Sequence, residues 1–175
     1  MVEIGSRYKY EMQRFPRSIY IDSCAFHPPQ EYEKPAMTTL WDLDRREIIQ
    51  LEIAKATEEE MQKAPAKLRE KANSRIFSLE FGGQTEEIRR LLFPNKKILN
   101  KGEINDIRNL SCAQYYNCDI FVTTDKKHIL RKAKVIKQKL GMDVLLPTEC
   151  LREVLGWLEW SKKHEEEMRR LRGEL

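Results

Sequence analysis

The chain has 175 residues, 41% of them hydrophobic and 34% charged, with a formal net charge of +4. That length and balance suit one globular domain with a sizeable core and a heavily charged surface, and they exclude a low-complexity or disordered chain. The mild positive charge allows a polyanionic partner without requiring one. Four cysteines, at 24, 112, 118 and 150, form no CxxC pair and no Cys/His zinc spacing, so they read as free, mostly buried thiols in a reducing cytosol. The first residues lack the apolar core of a signal peptide, and no apolar run reaches the length of a membrane span. A cytoplasmic protein with no membrane partner is the expectation.

Residues 1–17 form a polar and aromatic N-terminal segment with no clear periodicity. Residues 18–22, SIYID, predict a buried first strand, closed off by Pro28 and Pro29. Residues 36–47 predict a helix with Leu40 and Leu43 inward. Residues 48–56 alternate, with Ile49, Leu51 and Ile53 on one face and Gln50 and Glu52 on a polar one, and predict a second strand. Thr57 with Glu60 makes a capping box that opens a helix, which breaks at Pro65 and resumes over 66–77. Gly82-Gly83 punctuates the chain, a short helix follows and stops before Pro94, and residues 96–100 read as a short strand or an extended link.

Residues 105–125 are the most informative stretch. Asn105 is a candidate N-cap, Asp106 falls in the first helical turn, and Ile107, Leu110 and Ala113 recur at helical spacing until Asn117. The segment DIFVTTD then predicts a strand that ends on Asp125. Beyond it, Ile129, Ala133, Ile136 and Leu140 share a helical face up to Gly141, residues 143–147 read as the last strand, and Thr148 opens a final helix with Leu151, Val154, Leu155 and Leu158 inward. Residues 18–150 are thus the main domain, and 151–175 are a C-terminal helix packed on it or extending from it. Strands alternating with helices predict an α/β fold: three layers, α/β/α, around a mostly parallel sheet.

In such a sheet, sites form at the carboxyl ends of the strands. Asp22 and Asp125 end strands, and Glu60 and Asp106 begin helices, so all four acids point to one rim. Four carboxylates in one place repel unless a cation joins them, and Mg²⁺ or Mn²⁺ suits oxygen ligands. Such a centre hydrolyses phosphodiesters. Taken singly, Glu60 and Asp106 are equally well explained as helix-start charge, and Asp125 as a turn residue. Glu58 and Glu59 compete with Glu60, Glu52 is a weaker candidate, and Glu103 is a possible helper.

The ordered set IYIDS with Asp22, TEEEM with Glu60, Asp106 leading to Ala113, and FVTTD with Asp125 resembles the PIN-domain nucleases, which include VapC-like toxins. The resemblance covers about residues 18–150. It implies a metal-dependent endoribonuclease, RNA as substrate, a frequent homodimer and, for the toxin branch, an antitoxin partner. Ser23 matches the hydroxyl residue that often follows the first acid, and Thr123 matches the one two before the last, placed to orient that carboxylate or a water. Cys24 departs from the usual Asn or Ser. Lys126, Lys127 and Arg131 follow Asp125 and suit phosphate contact. His128 reads either as a proton donor or as a surface residue, and His27 as a possible substrate contact. Trp157 and Trp160 read as packed against the body or as part of a partner surface. An RNA-binding or scaffold module without activity is the alternative. A phosphohydrolase with an Asp nucleophile is disfavoured, because position 24 is Cys rather than a second Asp.

Overall fold

The computed structural model describes residues 14–26, 28–54, 75–77 and 85–174. Among the described residues five parallel strands make one sheet: β1 (Ile19–Ile21), β2 (Leu51–Ala54), β3 (Arg75–Phe77), β4 (Ile120–Val122) and β5 (Asp143–Leu145), in the order β3-β2-β1-β4-β5. The helices are α1 (Ser23–Phe26), α2 (Glu33–Arg45), α3 (Thr85–Leu92), α4 (Lys101–Tyr115), α5 (Ala133–Leu140) and α6 (Pro147–Leu171), with a 3₁₀ turn at Leu130–Lys132 before α5. The chain runs outward from β1 to β3, returns to lay β4 against β1, and continues to β5. The order therefore reverses between β1 and β4, and their carboxyl ends flank the switch point where open parallel sheets build sites.

Strand alternation splits the core into two halves. Ile19, Ile21, Leu51, Ile53, Ile120 and Val122 face α2 and α6, where Leu40, Trp41, Cys150 and Val154 close the layer. Tyr20, Phe121 and Val144 face α3, α4 and α5, with Ile88, Leu110 and Ile136. The sheet thus lies between two helical layers, as expected. Both faces are apolar because a parallel sheet is covered on both sides. Phe15 joins the first half of the core, edge-on to Trp157 at 5.6 Å, and Arg17 pairs with Asp143 and Glu153.

Several local expectations change. The central helix begins at Lys101, not after Asn105. Asn100 is its N-cap: its side chain accepts from the Glu103 amide, and the Glu103 carboxylate accepts from the Asn100 amide, both at 3.0 Å. Asp106 consequently lies in the second turn, beyond the reach of the helix-end dipole. Residues 96–100 form no strand; they link α3 to this cap. Residues 75–77 form a strand paired with β2 rather than the end of a helix, a case of pairing along a sheet edge overriding local helix propensity. The polar face of β2 is not solvated: Glu52 is buried, and its carboxylate accepts from Gln50 Nε2 at 2.7 Å and Cys118 Sγ at 3.2 Å. In α6, which starts at Pro147, Val154 is buried but Leu155 is exposed, because Cys150 takes the inward position one turn earlier. Trp160 is exposed and stacks on His164. Among the described residues no helix is long and apolar enough to cross a membrane.

Candidate metal centre

Asp22 leaves β1 at the switch point. It is 1% exposed, and four donors meet its carboxylate. The Ser23 amide and Asn109 Nδ2 donate to Oδ1, each at 2.8 Å, while Thr123 Oγ1 donates to Oδ2 at 2.7 Å and Cys24 Sγ at 3.0 Å. Burial pushes its pKa up, and the donors from Cys24, Thr123, Asn109 and Ser23 pull against that rise. Asn109 is itself braced by the Tyr20 hydroxyl at 3.2 Å, and Tyr20 stacks on Phe121. The first acid is thus locked from β1, α4 and β4 together.

Cys24 fits this shell. Burial, reinforced by the Asp22 charge, pushes its thiol up to about 12, so it stays protonated and serves as a donor. Position 24 thus carries a hydrogen-bonding group. Ser23 contributes its backbone amide to Asp22. Thr123 holds the Asp22 carboxylate and accepts from the Asp125 amide at 3.1 Å; the expectation for its side chain was Asp125's carboxylate or a water.

Asp125 follows β4. Its Oδ1 accepts from the amides of Lys127 at 2.8 Å and His128 at 3.0 Å, which fixes the carboxylate on its own turn. Its Oδ2 faces His128 Nδ1 at 3.2 Å, and Asp106 Oδ2 faces the same nitrogen at 3.1 Å. The Phe93 ring packs against the imidazole, with centroids 5.3 Å apart. Asp106 is pushed up to about 7, first by burial, then by the charges of Asp22 and Asp125, with His128 opposing.

Asp106, Asp125 and His128 each offer one ligand atom, and these atoms lie within 4.8 Å of one another; they are the one such group among the described residues. Two carboxylates and an imidazole, all partly open to solvent, suit a divalent cation. Asp22 stands beside this group, close enough for its charge to act on Asp106, with its own oxygens facing protein donors. Glu60, with Glu58 and Glu59, lies outside the described residues, as does His27. Glu103 caps α4 and pairs with Lys96, which holds its carboxyl below the usual range.

His128 belongs to the centre, a role the sequence reading left open. The signal was the three-residue step from Asp125, which turns both side chains back over one loop. Lys126, Lys127 and Arg131 are exposed, whereas Lys132 turns inward to the carbonyls of Leu91 and Leu92 at the end of α3. Comparison with models of known protein families and with curated proteins finds no match to this chain.

Proposed function

We propose that the chain is a metal-dependent endoribonuclease of the PIN type. The observation that carries the reading is the meeting of Asp106, Asp125 and His128 beside the buried Asp22 at the sheet's switch point. A bound Mg²⁺ or Mn²⁺ would supply charge stabilisation at a phosphodiester and lower the pKa of a water. Asp106 and Asp125 would hold it, with His128 as a nitrogen ligand. Asp22 orients the loops through Ser23, Thr123 and Asn109 and adds negative charge that favours a cation. Lys126, Lys127 and Arg131 would neutralise the RNA backbone. Glu60 is proposed as the fourth acid on the resemblance alone. A homodimer, an antitoxin partner and a cytoplasmic location rest on the resemblance and on composition.

Purified protein should cleave single-stranded RNA with Mn²⁺ or Mg²⁺ and lose that activity in chelator. Asp22→Asn and Asp125→Asn should each lower the rate by about a hundredfold or more at unchanged circular dichroism. Cleavage that survives both chelation and substitution sinks the reading.

The position of His128 favours a second reading. Its Nδ1 already stands between the two carboxylates, so the imidazole can take the place of a cation and leave an RNA-binding module without activity. Calorimetric titration separates the two. RNA binding without uptake of millimolar Mn²⁺ supports the inactive module.

A further inference from the structure

Tyr32 is a large aromatic left 58% exposed, at the start of α2. Its hydroxyl accepts from Lys126 Nζ at 3.4 Å. Lys126 is the residue after Asp125, so the ring borders the rim of the metal centre. Its mount is rigid. Glu33, the next residue, is fully buried and accepts from the Thr148 amide at 2.9 Å and the Thr148 hydroxyl at 3.1 Å. That buried carboxylate ties the first turn of α2 to the first turn of α6. The Glu33 amide also donates to the Gln30 carbonyl at 3.0 Å, closing the turn that leads into the helix. The backbone under Tyr32 is therefore held from two sides while the ring stays in solvent.

An exposed ring on a fixed backbone, touched by a lysine, combines the two elements of single-strand recognition. The ring offers a face on which any base can stack, and the ammonium offers a phosphate contact. A duplex keeps its bases stacked inside and cannot use the ring. The nearby carboxylate of Glu31 is paired with Lys34, so it does not stand as a free negative charge against the strand.

We infer that Tyr32 and Lys126 form a base-stacking and phosphate subsite that selects single-stranded RNA and leads it across the metal centre. The inference rests on the ribonuclease reading and adds the residues by which that site would hold a single strand.

Fluorescence anisotropy of the full chain in chelator, with a labelled unstructured oligoribonucleotide and a duplex of equal length, tests it. Tyr32→Ala should weaken single-strand binding by roughly tenfold or more, while Tyr32→Phe retains it and duplex binding does not change. Lys126→Ala should weaken binding and lower the salt slope by about 0.7. Because Tyr32 is exposed, the thermal midpoint of Tyr32→Ala should match that of wild type. Equal single-strand affinity for wild type and Tyr32→Ala, or an equal loss on duplex, overturns the inference. Mn²⁺ titration and cleavage by the same proteins keep the two claims apart. A wild type that binds Mn²⁺ and cuts RNA, beside an unaltered Tyr32→Ala, removes the subsite alone. A wild type that takes up neither Mn²⁺ nor RNA removes both.

Discussion

At the scale of single residues, the centre is a problem in charge. Asp106 feels the charges of Asp22, Asp125 and His128, and its pKa, raised to about 7, makes the folded state bind a proton that the unfolded state releases. The stabilising contribution of that proton is complete below the unfolded value of 3.8 and is lost as pH rises through about 7. In chelator, the thermal midpoint should therefore fall as pH rises across that window, and Asp106→Asn should flatten the profile. A cation replaces the missing proton, so Mn²⁺ should raise the midpoint more at alkaline than at acidic pH. A midpoint indifferent to Mn²⁺ at every pH would remove the ion from the site. Cys24 shows a different logic: a half-buried thiol held protonated beside a carboxylate is a donor, not a nucleophile.

At the scale of elements, each acid is only as well placed as the helix or strand that carries it. Asp106 and Asn109 lie one turn apart on α4, so they face the centre and Asp22 together. The register of α4 depends on its start. The Asn100–Glu103 box fixes that start, with Lys96 holding the Glu103 carboxylate in place. Asn100→Ala should cost about 1 kcal/mol and lower the thermal midpoint by roughly 2–4 °C. Scanning calorimetry checks this, and an unchanged midpoint would mean that the cap contributes nothing. The turn after β4 works at shorter range. Two amides on Asp125 Oδ1 leave Oδ2 to face the His128 ring.

At the scale of the whole molecule, the doubly wound order puts β1 and β4 side by side although about a hundred residues separate them. That pairing brings Thr123 to Asp22, and α4, packed over Tyr20 and Phe121, brings Asp106 to Asp125. The far end of α6 takes no part in this core: residues 162–174 are all exposed, tied by helical pairs such as Glu159–Lys163 and Glu165–Arg169. Exposed pairs of this kind add little. A chain truncated after Ser161 should therefore keep its thermal midpoint within a few degrees. A much larger drop in differential scanning fluorimetry would show that the tail supports the body.

The sequence by itself determined the layer architecture and most element positions, because alternating strands and amphipathic helices leave few ways to bury Ile19–Ile21 and Ile120–Val122. It also singled out Asp22, since an acid closing an apolar strand is poorly explained by solvation, while Asp106 and Asp125 stood out only as members of an ordered set of acids. The start of α4 at Lys101 rests on the Asn100–Glu103 box rather than on Asn105, and Gly102 sits inside its first turn. Only the tertiary structure decided which groups meet. Asp22 turns inward to Asn109, Thr123 and Cys24, whereas Asp106 and Asp125 share His128. The physical reason is that hydrogen-bond partners and charge neighbours depend on distances through space. The β1–β4 pairing and the tilt of α4 set those distances, and spacing along the chain does not encode them.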